Sequence, residues 1–209
     1  ASIYCDFGQD VNEKINLNVV SYFNNINELV KNNKISGITN ITPSYNKLIV
    51  SFDLKITNYK EVKKIIENLK IKKNNHLNSK KIKIPICCDQ EYALDLTSLS
   101  NKLKISENKI LEMHFSKEYF CYMTGFIAGM PFLGDIDKKI RVNRLETPRV
   151  RVPKGSVGIT EQFCNIYTYE SPGGWNIIGN TPKKIFNKSN FDNPLLIRPG
   201  DKVSFYKIT

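Results

Sequence analysis

The sequence lacks several features that would assign it to a common class. No apolar run reaches about 18 residues, the length that marks a candidate membrane-spanning helix, so we expect no such helix and no membrane association. The beginning of the chain has no basic segment followed by an apolar one, so we expect no secretory signal and a cytoplasmic protein. The five cysteines are an odd number without a Cys-x-x-Cys pair, which argues against a disulfide framework and a structural zinc site.

Motifs for nucleophilic, nucleotide-binding and metal chemistry are also missing. The sequence contains no GxSxG, no P-loop and no HExxH. We therefore expect no metal site, and any use of ATP has no recognisable motif in this chain.

Histidine is scarce, with only two in the chain. His76 lies in a stretch rich in Lys and Asn and carries no expected role. His114 ends a predicted helix, whose dipole would favour the protonated imidazole. A purely structural histidine is the competing interpretation.

The chain is strongly basic, with a formal net charge of +11. Such a charge is compatible with nucleic acid, a membrane surface or acidic metabolites. The lysines, however, cluster with Asn and Ile, as at residues 70–83, and not in a pattern that reads DNA. Nucleic-acid binding is therefore an alternative that we do not favour, and a salt-dependent DNA shift would test it.

Apolar spacing in the first part of the chain predicts an α+β domain over residues 1–88. Alternation predicts strands at 2–7, 38–42, 47–53 and 81–88, and spacing of three and four residues predicts two helices between them. Asn58 is a candidate cap for the second helix. The resulting βαββαβ order is that of the ferredoxin-like unit, with a solvated loop at 72–81.

The sequence pattern of the remaining residues, 89–209, predicts a β-rich second domain. Two short helices are expected at 98–103 and 106–114. Short β-type runs then alternate with Gly and Pro, which is typical of a barrel or sandwich. The expected strands are 119–124, 149–152, 156–160, 165–169, 175–179 and 202–208.

Three segments of this second domain are candidates for binding. Residues 125–134 are rich in glycine and aromatics, so that Phe126, Gly129 and Phe132 could approach a ligand; a packed loop is the alternative. Arg149 and Arg151 lie on one side of a strand that leads to Ser156, where two guanidiniums could clamp a carboxylate or phosphate. The alternative is a solvated strand face.

The third segment, residues 170–175, contains the sole tryptophan. Its Pro-Gly-Gly sequence predicts a tight turn that exposes backbone N–H groups as an anion nest. The candidate residues are Ser171, Gly173, Gly174 and Trp175. A plain hairpin turn with Trp175 in the core is the alternative.

Taken in order, these segments resemble the family that contains the B component of 5-oxoprolinase and the first component of allophanate hydrolase. The matching stretches are Glu-Met-His at 112–114, the glycine-rich run at 125–134, PRVRVPKGSV at 148–157, IYTYESPGGWNIIGNT at 166–181 and LLIRPGDKVSF at 195–205. The sequence departs from the family pattern at Ala128 and Met130, and at Phe132, where a tyrosine is usual. It also departs at Leu145 and Thr168, and Cys164-Asn165 replaces a frequent Thr-Gly.

The resemblance implies a ferredoxin-like domain followed by a cyclophilin-like β-barrel, without implying prolyl isomerase activity. It further implies an ATP-dependent amidohydrolase component that opens 5-oxoproline to glutamate and is inactive without partner subunits. Those partners would be the C component, which has a related barrel, and the A component, and the complex would use the ATP. Within that interpretation His114 is the expected proton shuttle and Arg149 the second catalytic residue.

Two further functions stay open within the same family. One is a urea- or allophanate-processing subunit beside a biotin-dependent carboxylase. The other is a non-catalytic inhibitor of a sensor histidine kinase. Both would be distinguished from the oxoprolinase by the neighbouring genes.

Overall fold

A computed structural model describes residues 1–69, 71 and 79–209 of the chain. The chain divides into two compact units, Ala1–Leu77 and Asn78–Thr209, and each is described by itself. His76 and most of the loop predicted at 72–81 lie outside the described residues.

The first unit contains three strands and two helices. They are β1 (Ser2–Asp6), α1 (Glu13–Lys31), β2 (Ile38–Pro43), β3 (Lys47–Phe52) and α2 (Tyr59–Glu67). The strands form an antiparallel sheet in the order β1-β3-β2. Each helix is preceded by an asparagine whose side chain accepts a backbone N–H from the first turn. Asn58 caps α2, as predicted, and Asn12 caps α1, which was not predicted. The core consists of Val19, Ile26, Leu48, Val50, Phe52 and Val62.

The strand predicted at 81–88 does form, but it belongs to the second unit. Strand β4 (Lys81–Cys87) pairs in parallel along its whole length with β12 (Lys202–Ile208). Its Ile84 and Ile86 are fully buried in the core of the second unit. The ferredoxin-like βαββαβ arrangement is therefore not confirmed, and the structure differs from the boundary predicted at residue 88. Apolar alternation identifies a strand but does not identify the sheet that it joins.

The second unit is built around a closed barrel, as predicted, and it fits the cyclophilin-like fold. The described strands of the barrel follow the order β11-β4-β12-β5-β6-β9-β8. The remaining bounds are α3 (Leu96–Leu103), α4 (Glu107–Phe115), β5 (Glu118–Thr124), β6 (Pro131–Gly134), β7 (Arg149–Val152), β8 (Ser156–Thr160), β9 (Phe163–Ile166), β10 (Ser171–Gly173) and β11 (Asn176–Asn180). The expected strand at 165–169 is thus displaced toward the N-terminus. Strands β7 and β10 form a separate two-stranded ribbon.

The barrel core is apolar, and α3 and α4 pack onto it. Strand residues such as Leu133, Ile159 and Ile178 meet Leu99 of α3 and Ile110 of α4 in one buried cluster. All five cysteines are free. No helix in the described part of the chain is long and apolar enough to cross a membrane.

The position of β4 predicts how fragments of the chain behave. A fragment of residues 79–209 should show cooperative thermal unfolding, whereas a fragment of residues 89–209 should not. The shorter fragment loses β4, which removes one of the two pairing partners of β12 and opens the barrel. It also loses two buried isoleucines, each worth roughly 2–5 kcal/mol of stability. Circular dichroism and amide NMR dispersion measure the difference. Equally cooperative unfolding of both fragments would contradict this assignment of β4.

Candidate functional site

One part of the barrel wall buries both of its faces. Cys164 and Ile166 of β9 point into the main core, so Asn165 between them points to the outside of the barrel. The same alternation directs Phe132 and Gly158, the register partners of Asn165 on β6 and β8, to the outside. Asn165 is nevertheless fully buried, which shows that this outer surface is covered.

The cover consists mainly of apolar and aromatic side chains. Val152 of β7, Tyr167, Met130 and Ile177 pack together, with Phe132 at their edge. The Trp175 indole stands edge-on to the Phe132 ring, with centroids 5.6 Å apart. We call this layer the outer-face cluster; it comprises Met130, Phe132, Val152, Gly158, Asn165, Tyr167, Ser171, Trp175 and Ile177.

Asn165 is the polar anomaly of the outer-face cluster. Among the described residues, neither its amide nitrogen nor its amide oxygen has a hydrogen-bond partner. Burial raises the pKa of Tyr167. The Asn165 amide beside the Tyr167 hydroxyl lowers that pKa in part, although the two groups do not have the distance and angle of a hydrogen bond. An unpaired buried polar group costs roughly 1–3 kcal/mol. The site therefore carries an unused donor and an unused acceptor side by side.

Ser171 adds a second polar group to the same layer. It is paired directly across the ribbon with Val152, so both side chains point to the same side, toward the outer-face cluster. Its hydroxyl is buried and has no hydrogen-bond partner among the described residues. Gly173, at the other end of β10, packs so tightly on Tyr167 that any side chain there would collide with the phenol hydroxyl.

The Pro-Gly-Gly segment differs from its predicted form. Ser171–Gly173 is the strand β10 and not a tight turn, so the expected anion nest is wrong. Gly174 follows that strand, and its carbonyl accepts the backbone N–H of Leu145 at 2.7 Å. Trp175 is buried, in agreement with the alternative that placed it in a core.

Arg149 is held by a carboxylate that the sequence did not indicate. Its two terminal nitrogens donate to both oxygens of Asp95, at 2.9 and 2.6 Å. One of those oxygens also accepts the backbone N–H of Ile177 at 2.6 Å. The Asp95 side chain is 6% exposed and the Arg149 side chain 29%, so the carboxylate is shielded from water and the guanidinium is partly shielded. The Arg149 guanidinium is therefore committed to positioning the ribbon against α3 and β11.

Arg151 does not form a clamp with Arg149. Its side chain is 81% exposed and lies 3.6 Å from the Glu170 carboxylate. Because each arginine faces a different carboxylate, the predicted two-arginine anion clamp is not present. Ser156, the other candidate on this segment, is buried at the start of β8, where its carbonyl accepts the N–H of Tyr167.

His114 lies in the main core and not at a surface. Tyr119 donates its hydroxyl to the His114 carbonyl at 2.8 Å, so Nδ1 of the imidazole is the donor to the same hydroxyl at 2.9 Å. The ring stacks on Phe205, and Nε2 is buried without a partner among the described residues. Burial lowers the pKa of His114 to about 3. The expected protonated form is wrong, because desolvation outweighs the helix dipole.

The glycine-rich segment forms the loop between β5 and β6. Phe126 takes a left-handed conformation at its tip and is 69% exposed. Gly129 also has a positive φ, and a side chain there would run into the Phe186 ring. The hydroxyl of Thr168 donates to the Ala128 carbonyl at 2.7 Å and anchors the loop. Of the three binding candidates in this segment, Phe132 alone joins the outer-face cluster.

A basic cleft borders the outer-face cluster. It has a volume of about 280 Å³, and Tyr167 belongs to both the cleft and the cluster. Three lysines line it, namely Lys154, Lys183 and Lys184, and no carboxylate among the described residues does. Such a cleft suits a small anion, and it lies next to the apolar layer of the outer-face cluster. Sequence reasoning missed Lys183 and Lys184, because they are ordinary members of a lysine-rich composition.

Asn165 and Asp95 were missed for different reasons. A polar residue in the apolar run FCNI was the available signal for Asn165. Asp95 gave no signal, since its partner lies 54 positions away. Among the described residues, no group of three or more His, Cys, Asp and Glu side chains could hold a metal ion.

The fold and this layered barrel site define a class of carboxyltransferase-type barrel proteins. The chain belongs to the family described as carboxyltransferase domain, subdomain C and D, whose model matches residues 1–197.

Individual relatives agree with the family. The chain is 31% identical to the B component of 5-oxoprolinase from Bacillus subtilis, over 97% of this chain and 88% of that protein. The structure of TTHA0988 superposes with a TM-score of 0.87 at 26% identity, over 100% of this chain but 40% of that chain. Urea amidolyase of Saccharomyces cerevisiae is 24% identical over 94% of this chain, which corresponds to 12% of that protein.

The buried ion pair predicts unequal effects of two arginine substitutions. Arg149→Ala should lower the free energy of unfolding by about 2 kcal/mol, because it leaves the Asp95 carboxylate buried without its cation. Arg151→Ala is the matched control on the same strand and should change it by about 0.5 kcal/mol or less. Urea unfolding measures both. Equal, small effects would show that the Asp95 pair does not hold the ribbon.

The burial of His114 predicts a loss of stability in acid. Its folded pKa is depressed to about 3 from an ordinary value of 6.5, so below pH 6.5 the unfolded chain binds a proton that the folded chain does not. Stability should fall as the pH drops from 6.5 toward 3. A His114→Gln variant should lose about 2 kcal/mol less than the wild type between pH 6.5 and 5. Parallel pH profiles of the two proteins in urea unfolding would contradict the burial of a neutral imidazole.

Proposed function

We propose that this chain is the B component of an ATP-dependent 5-oxoprolinase and that, with the A and C components as its partners, it opens 5-oxoproline to glutamate. The observation that carries the proposal is the similarity to the Bacillus subtilis protein over nearly the whole of both chains. The family match over residues 1–197 supports the same assignment.

The geometry of the site is compatible with this substrate. 5-Oxoproline combines an uncharged lactam ring with a carboxylate. The outer-face cluster offers apolar walls with an unpaired amide, and the adjoining cleft offers three lysines for an anion. Tyr167 forms the boundary between the two, so one small molecule could reach both. In this proposal Arg149 is a positioning residue, and Ser171, Phe132 and Trp175 line the substrate pocket.

The reaction needs more than this chain supplies. A lactam is a resonance-stabilised amide, and its opening at neutral pH requires activation of the carbonyl. In this proposal ATP, used by the assembled complex, provides that activation, and the charge that develops needs fixed donors. The matching part is 40% of the TTHA0988 chain, which supports the idea that a barrel of this type works beside further domains. Such domains would be supplied by the partner subunits.

A urea-type reaction is the second candidate, and one observation favours it. The similarity to urea amidolyase extends over almost the whole of this chain. Urea and allophanate share with 5-oxoproline an amide group whose N–H and C=O lie side by side. Formation of glutamate from 5-oxoproline and of ammonia from urea or allophanate, measured in the same reconstituted mixture, separates the two.

The proposed function predicts turnover only in a reconstituted mixture. With ATP and 5-oxoproline, this chain alone and its partners alone should form no glutamate, and the mixture should. A double Lys183→Gln, Lys184→Gln variant in the mixture should raise KM for 5-oxoproline at least about tenfold, because charge-assisted contacts to the carboxylate are lost. The matched control is the double variant Lys138→Gln, Lys139→Gln, because these two lysines are adjacent in sequence, exposed and outside the cleft. An assembled mixture without turnover would refute the function. Equal KM values for both variants would show that Lys183 and Lys184 do not bind the substrate.

A further inference from the structure

We infer that the side-chain amide of Asn165 recognises the cis-amide edge of the substrate by a pair of hydrogen bonds. The inference rests on the proposed function, because it names the part of a lactam or ureide substrate that this site would bind.

The first step is the energetic position of Asn165. Its amide is fully buried on strand β9, and neither of its polar atoms has a hydrogen-bond partner among the described residues. A leucine of nearly the same shape would avoid that penalty and fit the apolar surroundings. A buried, unpaired amide is therefore a poor structural choice and suits a site whose partner arrives as a ligand.

The second step is the chemistry of a carboxamide. The Asn side chain presents one acceptor oxygen and an N–H₂ donor on the same edge. A cis amide presents the complementary pair, a C=O acceptor and an N–H donor side by side. Two antiparallel hydrogen bonds then join the groups in one plane. An ordinary secondary amide is trans, with its N–H and C=O on opposite sides, and can form only one of the two.

The third step is the environment around the amide. Phe132 is the register partner of Asn165, and the Trp175 ring packs against Phe132. These rings suit the methylene edge of a small lactam and keep water away, which strengthens the hydrogen bonds within. Tyr167 continues from this layer into the lysine cleft, where the carboxylate of the same ligand would lie.

Entry to the site requires movement of its cover, since Asn165 is 0% exposed. Strands β7 and β10 form a ribbon that is not part of the hydrogen-bonded barrel. The ribbon can shift without breaking the ladder between the barrel strands, while the Arg149–Asp95 pair fixes one end of it.

The test uses two buried asparagines of the same unit. Asn176 on β11 is 4% exposed and donates to the carbonyls of Asn143 and Ile159, at 3.0 and 3.3 Å, so it has the structural role that Asn165 lacks. We expect Asn165→Leu to raise the Tm of the chain by about 3 °C or more, and Asn176→Leu to lower it. A fall in Tm for Asn165→Leu would show that its amide has a structural partner and would overturn the inference.

Ligand protection is measured on the chain alone, so that it does not depend on the oxoprolinase assay. Butyrolactam, a cis amide, should raise the Tm of the wild type, and N-methylacetamide, a trans amide of similar size, should not. Asn165→Leu should abolish the protection. Equal protection by both amides, none by either, or protection that survives Asn165→Leu would each refute the inference.

The reconstituted complex then separates this inference from the proposed function. If both are correct, Asn165→Leu should reduce kcat/KM for 5-oxoproline at least about 100-fold, because two hydrogen bonds in a dry site are lost. Wild-type kcat/KM in the variant would overturn the inference and leave the function standing. An inactive wild-type complex together with selective protection by butyrolactam would refute the function and support the inference.

Discussion

The carboxylate of Asp95 ties together the parts of the second unit on which the site depends. It lies at the start of α3, binds the Arg149 guanidinium of the ribbon through both oxygens, and accepts the backbone N–H of Ile177 in β11. The backbone N–H of Asp95 donates in return to the Ile177 carbonyl at 2.9 Å. One nearly buried side chain therefore fixes a helix, the ribbon and a barrel strand relative to one another. A charge in this position is tolerated because each of its oxygens is hydrogen-bonded.

The fixed ribbon creates a second buried layer outside the barrel. Most of that layer is apolar and would be stable without any polar group. Asn165 and Ser171 are the exceptions, since their side-chain polar atoms are buried without hydrogen-bond partners in the part of the chain that the structure describes. Two such groups in one layer weaken the fold locally, which is typical of a site that gives up stability for recognition. His114, whose Nε2 is also unpaired among the described residues, lies in the main core on the other face of the wall and belongs to a different environment.

Local patterns predicted most of the elements. The many short strands separated by glycine and proline indicated a barrel or a sandwich, and the family resemblance selected the barrel. They did not predict which strands meet. Alternation marked residues 81–88 as a strand, but the pairing of β4 with β12, more than a hundred residues later, depends on the whole fold. Arg149 looked free for an anion because its carboxylate partner is 54 positions away. His114 looked protonated because the helix end was visible in the sequence and the burial was not.

Two departures from the family pattern also show that the sequence does not reveal which residues of the site are neighbours. In the resemblance drawn from the sequence, Phe132 stands where a tyrosine is expected and Asn165 where a glycine is expected. In the sequence they are 33 positions apart and look unrelated; the register places them directly opposite each other on β6 and β9. The relation between these two side chains could therefore be interpreted only after the pairing of the strands was known.

The most direct measurement is a crystal structure of the assembled complex with 5-oxoproline bound. We predict the lactam edge within about 3 Å of both amide atoms of Asn165, with the carboxylate directed to the lysine cleft. A lactam bound elsewhere in the complex, with the Asn165 amide still enclosed and unpaired, would contradict the central claim that the outer face of this barrel is the substrate site.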